Sequence, residues 1–385
     1  MPEQFIPFAL PDIGDEEIAE VVDSLRSGWI TTGPKARRFE EDFAAYLGGG
    51  IECIAVSSAT AGLHLALEAL GLQPGDEVIV PTHTFTATAE VVRYLGADPV
   101  FVDVDPGSYC IDPALVRSAI TPRTRIIMPV HYSGFPCDMH ALCGIARTHG
   151  LQIVEDAAHA FPTHVDGALV GQLDTAATVF SFYANKTIAT GEGGMLVTRR
   201  PDLARRAKIM RLHGIDRDAF NRFSSKAPAW FYEVVAPGFK YNLPDIAAAL
   251  GLQQLRKIDR FLVRRQQLAA RYDQGLQGLP LRAAPRPDGP GSSHAWHLYV
   301  VQLLPSARLD RDELIQGLFD RGIGCSVHYI PLHRQPYWRD RYGLREEHFP
   351  VSEALYKNCV SLPLYTRMSD GDQDRVLDAL HQLIG

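Results

Sequence analysis

Apolar residues fall in short runs along the first two-thirds of the chain. The runs are CIAVSS (53–58), EVIV (77–80), PVFVDV (99–104), RIIMPV (125–130), LQIVED (151–156), TVFSF (178–182) and GMLVT (194–198). Each is short, rich in β-branched residues and nearly continuous rather than alternating, which predicts strands. Helical stretches lie between them. After CIAVSS, Leu63, Leu65, Ala66 and Leu70 fall at helical spacing before Gly71. Strands without polar alternation are covered on both faces, so the pattern predicts a largely parallel α/β sheet between helices. Ligands in such sheets sit beyond the carboxyl ends of the strands. The polar residues that end these runs are therefore the ones to read.

Beyond Pro244 the pattern changes. IAAALGLQQLRKIDRFLVRRQQLAARYDQGL predicts one long helix or two in tandem, and LPLRAAPRPDGPGSS (279–293) a loop. LYVVQLL, a helix around Arg311 to Arg321 and a last helix around Asp370 to Leu383 suggest a smaller α+β domain. The expected division is a large α/β domain with an N-terminal arm over 1–250 and a small C-terminal domain over 251–385. A length of 385 residues suits that arrangement.

Composition narrows the partners. The net charge is −7 with no long basic run, which argues against nucleic acid or an anionic membrane as the main partner. No run of about 18 apolar residues predicts a membrane span. The opening MPEQFIPFALPDIGDEE lacks the basic and apolar regions of a signal peptide. The six cysteines are scattered with no CxxC pair, as in a reducing cytosol, so a cytoplasmic protein is expected. His159 has no second His or Cys at metal-ligand spacing, and no metal is expected.

Four strand ends could carry chemistry. SSATAG (57–62) joins a strand to a helix; its free N–H groups and the Thr60 hydroxyl suit a phosphate, or the turn is only a helix cap. THTFTAT (82–88) places Phe85 among small hydroxyl residues, either to stack on a flat ligand or to join the core. VEDAAHA (154–160) ends a strand with Glu155 and Asp156. An aspartate there can pair with a protonated ring nitrogen or cap the next helix, and His159 alone reads as a packed side chain. Lys186, in VFSFYANKTIATGEGG (179–194), is not a P-loop lysine, because Asn185 precedes it and no glycine lies from 178 to 187. It is either a solvated or ion-paired lysine or a Schiff-base amine. An anion cradle, a stacking face, a partner for a ring nitrogen and an aldehyde-capturing amine are the four things pyridoxal phosphate needs.

With those residues in place, the chain resembles the DegT/DnrJ/EryC1/StrS sugar aminotransferases over nearly its whole length. The resemblance is carried by SGWITTGPKARRFEEDFAAYLG (27–48), AVSSATAGLHLAL, VEDAAHA, FSFYANKTIATGEGG, PGFKYNLPDIAAALGLQQL (237–255), HYIPLH (328–333) and SLPLY (361–365). Within the family, SGWITTGPK, VEDAAHA and PGFKYNLPDI are most similar to the synthases of UDP-4-amino-4-deoxy-L-arabinose. The resemblance implies a pyridoxal-phosphate fold of type I, a seven-stranded mixed sheet with a small C-terminal domain.

It also implies roles. Lys186 would bind the cofactor covalently and then carry protons. Asp156 would hold the ring nitrogen, Phe85 would stack, and His159 would lie against the cofactor near its ring oxygen. Ala59, Thr60 and Ser181 would bind the phosphate, with Asn242 reaching in from a second subunit of a homodimer. Trp29, Ile30, Thr31 and Thr32, with His328 and Tyr329, would line the nucleotide-sugar side. The implied reaction moves the amino group of L-glutamate to a 4-keto nucleotide sugar. The rivals are a 3-keto sugar or keto-cyclitol acceptor and a non-catalytic protein that keeps the fold. Arg211 and Arg334 are candidates by charge for the donor's carboxylate, with a surface ion pair as the alternative.

Overall fold

All seven apolar runs are strands of one sheet. A computed structural model describes residues 5–216 and 231–385. Two helices, α1 (Asp15–Ser27) and α2 (Pro34–Tyr46), precede the sheet. Then follow β1 (Glu52–Val56), α3 (Ala59–Ala69), β2 (Glu77–Pro81), α4 (Ala87–Tyr94), β3 (Asp98–Val102), α5 (Pro113–Ala119) and β4 (Thr124–Ile127). Next come α6 (Met139–His149), β5 (Gln152–Asp156), the hairpin β6 (His164–Val165) and β7 (Ala168–Leu169), β8 (Ala177–Ser181), β9 (Gly194–Thr198) and α7 (Pro201–Met210). The sheet order is β1-β9-β8-β5-β4-β2-β3. Its pairs are parallel except at β9, which runs antiparallel to both neighbours. The loop from β8 to β9 holds no crossover helix, so the chain turns straight back.

Some strands end before the apolar run does. Pro129 has no N–H for the ladder, and β4 stops at Ile127. In CIAVSS the chain leaves the sheet after Val56, and Ser58 caps α3 by accepting from the Ala61 N–H at 3.1 Å.

Successive residues of each strand go to opposite cores. Val78, Val80, Ile126, Val154, Val179 and Leu196 pack under α3, α4 and α7. Ile79, Ile127, Ile153, Phe180 and Val197 pack on the other face with Phe39 and Phe43 of α2. Both faces are dry, which is why the runs show no polar alternation.

The tandem helices are two: α8 (Asp245–Arg256) and α9 (Ile258–Gly275). The smaller unit adds β10 (Leu281–Arg282), β11 (Tyr299–Leu303), α10 (Arg311–Phe319), α11 (Pro336–Tyr342), α12 (Pro350–Asn358), β12 (Cys359–Leu362) and α13 (Asp370–Ile384). Its three strands form one antiparallel sheet.

The packing bears on the expected division at residue 250. That residue lies inside α8, which rests on α1 and α2, and Leu252, Leu255, Ile258 and Phe261 belong to the large core. The small core begins at Leu268, Ala269 and Tyr272 of α9. The helical pattern runs on unbroken while its packing partner changes, so periodicity alone leaves no mark there. The chain also crosses back: Leu332 and Trp338 pack on the large-domain core, and Ile6 of the N-terminal arm packs in the small one. No helix among the described residues is long and apolar enough to cross a membrane.

Candidate active site

The carboxyl ends of β1, β2, β5 and β8 open into one cleft of about 440 Å³, a size that suits a small cofactor. At the end of β1, Ala59 and Thr60 start α3, where the first N–H groups have no carbonyl partner within the helix. Across from them Ser181 ends β8. Its Oγ accepts from the Tyr183 N–H at 3.3 Å, which leaves its own proton free to donate. Gly194 lets the two approach. A Cβ there would stand 2.8 Å from both the Ala59 N and the Phe180 carbonyl oxygen. The GEGG bend thus brings the chain into β9 and holds the helix start close to β8. It does not itself read as a phosphate loop.

Glu155 and Asp156 are neighbours with opposite fates. Strand alternation turns Glu155 into the protein, where it is fully buried. It accepts from the Thr175 and Thr178 hydroxyls at 2.7 and 2.6 Å and from His131 Nε2 at 2.9 Å. His131 can donate from Nε2 because its Nδ1 takes the Cys137 N–H. Asp156 faces the cleft. Its Oδ2 accepts from the Thr88 hydroxyl at 2.8 Å and its Oδ1 from the Ala158 N–H at 3.1 Å. Thr88 in turn accepts from Thr84. Burial raises the Asp156 pKa, while Thr88 and the Ala158 N–H pull it back.

Lys186 keeps some surface open to the cleft and is otherwise enclosed by protein. Burial lowers its pKa to about 8, against the opposing pull of Asp156. Nζ lies 3.4 Å from Nε2 of His297, a residue the sequence reading passed over.

The C-terminal half closes the cleft with His328 and Tyr329. His159 sits between the two sides. Its Nδ1 accepts the Ser133 N–H at 3.2 Å, and Nε2 is 2.9 Å from the Tyr329 hydroxyl. Burial, with Lys186 and His328 adding, holds its pKa well below the usual value, so the ring is neutral. A neutral ring that accepts at Nδ1 carries its proton on Nε2. His159 therefore donates to Tyr329, and Tyr329 keeps its own proton for the cleft. Burial raises the Tyr329 pKa, which keeps the phenol protonated. Phe85 is not core: it is 57% exposed at the cleft, 5.8 Å from the Tyr329 ring centre.

The cleft thus gathers Ala59, Thr60, Phe85, Asp156, His159, Ser181, Lys186, His328 and Tyr329. Asn242 does not line it. That side chain donates to Thr32 Oγ1 and accepts from Lys240 Nζ, both at 2.6 Å, beside the end of β1. Trp29, Ile30, Thr31 and Thr32 stay with it, tied through the Asp245 N–H to the Thr31 carbonyl. The Trp29 indole lies over Gly33, where a Cβ would meet Nε1 at 1.6 Å. Both charge-based candidates for the donor's carboxylate are committed elsewhere. Arg211 is buried against Glu40 and the Ala55 carbonyl rather than in a surface pair, and Arg334 pairs with Glu353 and Glu346. No group of metal-ligating side chains occurs among the described residues.

The sequence reading also missed Thr88 as the support of Asp156, although its hydroxyl was visible in THTFTAT. Asn185, used above only to exclude a P-loop, lines the cleft with a buried Oδ1 that has no partner among the described residues.

A helix start facing Ser181, an aromatic ring, a cleft-facing aspartate and an enclosed lysine fit pyridoxal 5'-phosphate, and the sheet is that of a fold-type-I enzyme. Comparison with known proteins agrees. The profile of the DegT/DnrJ/EryC1/StrS aminotransferase family matches residues 11–381, and the chain belongs to that family. The spore coat polysaccharide biosynthesis protein SpsC of Bacillus subtilis is 46% identical over 99% of this chain and 97% of its own. Among solved structures, the PLP form of the putative sugar aminotransferase Spr1654 from Streptococcus pneumoniae superimposes with a TM-score of 0.90 at 33% identity, covering 99% of this chain and 100% of that one. The aminotransferase TlmJ from Streptoalloteichus hindustanus gives 0.88 at 36% identity, covering 98% of each. The cofactor is pyridoxal 5'-phosphate.

Proposed function

We propose that the protein transfers the amino group of L-glutamate to a 4-keto nucleotide-activated sugar in the cytoplasm, giving a 4-amino sugar nucleotide and 2-oxoglutarate. The observation that carries the reading is Lys186, enclosed beside Asp156 with a pKa of about 8. The family and the sugar-related names of SpsC and Spr1654 point to a sugar acceptor. By its resemblance to the family, His159 within DAAH favours a 4-keto over a 3-keto group.

Pyridoxal phosphate, when bound, supplies an aldehyde and an electron-withdrawing ring. The start of α3 and Ser181 would hold its phosphate, Asp156 would hold its ring-nitrogen proton, and Phe85 would cover a ring face. Lys186 Nζ, released as a neutral amine, takes the proton from the α-carbon of glutamate; in the second half-reaction it delivers a proton to C4 of the sugar. Tyr329 offers its hydroxyl proton to an oxygen in the cleft. Asn242, with the nearby Trp29–Thr32 segment, completes the site of a second copy. Its absence from its own cleft and the exposed Val234 and Val235 just before it support that arrangement.

The test is a panel of 4-keto and 3-keto nucleotide sugars with L-glutamate as donor. Turnover of a 4-keto sugar with release of 2-oxoglutarate is expected. Turnover confined to 3-keto sugars, or a donor other than glutamate, overturns that part of the assignment. Lys186→Ala should abolish both turnover and the visible absorption of the lysine-bound cofactor.

A further inference from the structure

Four histidines crowd the back of the cleft, and three have their proton positions set by the backbone. His131, His159 and His294 each accept a backbone N–H at Nδ1, from Cys137, Ser133 and Trp296 at 3.1, 3.2 and 2.8 Å. A ring that accepts at Nδ1 carries its proton on Nε2. His297 differs. Its Nδ1 is buried with no hydrogen-bond partner among the described residues, and its Nε2 meets Lys186 Nζ at 3.4 Å. The ring is only 3% exposed and lies 4.4 Å, centre to centre, from that of His159. A buried polar atom without a partner is costly, and native proteins seldom keep one without a use.

The backbone that carries His297 is itself held. Arg265 of α9, buried and with no carboxylate bonded to it among the described residues, donates from Nη1 to the carbonyls of Trp296, His297 and Leu364 at 2.8, 3.5 and 3.3 Å. Burial, with the positive charges of Lys186 and Arg265 nearby, keeps the His297 imidazole neutral. A neutral ring whose tautomer is not set from behind can turn a lone pair toward Nζ.

We propose that His297 is a positioning residue for Lys186: its Nε2 accepts a hydrogen bond from Nζ and holds the free amine in place whenever it is not covalently engaged, with Arg265 fixing the backbone behind it. The proton then sits on Nδ1, and the unpartnered buried N–H is the cost of that aim. The other titratable groups that line the cleft with Lys186 are Asp156, His159, Tyr183, Glu192, His328 and Tyr329, the two imidazoles being neutral. The proposal rests on Lys186 being the reactive amine, and it is independent of which donor or sugar is used.

The experiment is therefore run on the apo-protein. Lys186 is acylated with acetic anhydride over a pH series, and its modification is read by peptide mass spectrometry. In the wild type the midpoint should lie near 8. An acceptor stabilises the ammonium, so His297→Phe and His297→Asn, which cannot reach Nζ, should lower the midpoint by about one pH unit. His297→Gln, long enough to present its Oε1, should restore it. Equal midpoints in all four proteins, or the same shift in Gln and Asn, overturn the proposal. Should the Phe variant fail to fold by circular dichroism, the contrast between Gln and Asn decides alone. Failure of the sugar panel with an intact midpoint shift would count against the substrate assignment only.

Discussion

The cleft has two unlike walls. The strand-end wall carries charge: Asp156, Lys186, Glu192 and the positive start of α3. The wall supplied by the C-terminal half carries none, since burial keeps His328 and His297 neutral and Tyr329 protonated. The difference explains the lysine. The pull of Asp156 on Lys186 is too weak to offset burial, so the lysine pKa falls to about 8. An acidic residue on the facing wall would hold it as an ammonium and spoil it as a base. A neutral wall with hydrogen-bonding tips also suits a polyhydroxylated acceptor.

The comparison breaks most sharply if the charged wall loses its charge. Asp156→Asn removes the carboxylate proposed to hold the ring nitrogen, and turnover should fall by about 10²–10³-fold with a smaller change in KM. The same variant has a second readout. Asp156 raises the Lys186 pKa, so its loss should move the acylation midpoint in the apo-protein below about 8. A rate within a few-fold of wild type would remove Asp156 from the chemistry.

Its neighbour is the control. Glu155 accepts three hydrogen bonds away from the cleft. Glu155→Gln sets its amide N–H₂ against hydroxyl donors, and should cost about 1–3 kcal/mol of stability, read as a lower denaturation midpoint. Turnover per folded molecule should barely change. If turnover collapses while stability holds, the division of labour along β5 is wrong.

These neighbours also show what the sequence could tell. The seven strands were legible because both faces of the sheet are dry, so each run is continuous. Lys186, the strand-end acids Glu155 and Asp156, and the α3 start were legible as candidates because each lies at or just past the end of an apolar run, whereas Ser181 came only with the family resemblance. Which of Glu155 and Asp156 faces the cleft was not legible. It depends on which sheet face opens into the cleft, and that is set by the whole topology. His297 was hidden for a similar reason. It precedes β11 in the small unit and reaches Lys186 only through tertiary packing across 111 positions of sequence. The change of core within α9 left no break in periodicity, and the placement of Asn242 beside Thr32 joins segments 210 residues apart.

On the neutral wall the expected effects are smaller. Tyr329→Phe deprives the His159 Nε2–H of its acceptor at the edge of the cleft, where water can partly replace it. A stability loss of about 1 kcal/mol is expected. The larger consequence is the lost donor facing the cleft, which should raise the KM for the acceptor sugar more than that for glutamate. An unchanged acceptor KM would mean that the phenol only anchors His159.

Phe85 sharpens the comparison at the point where the walls meet, and its effect should be the smallest. The ring belongs to the strand-end side but touches Tyr329 across the cleft, and more than half of its surface is free. An exposed ring contributes little to folding, so Phe85→Leu should leave thermal stability nearly unchanged. Stacking on a bound ring contributes about 0.5–1.5 kcal/mol beyond simple burial. The variant should therefore bind pyridoxal phosphate about two- to tenfold more weakly, measured by titrating the apo-protein and following cofactor absorption. Phe85→Trp, which keeps a flat face, should bind at least as well as wild type. If the leucine variant loses stability instead of cofactor affinity, Phe85 works as a bridge between the two walls, and the boundary between charged and neutral sides is held by packing rather than by the ligand.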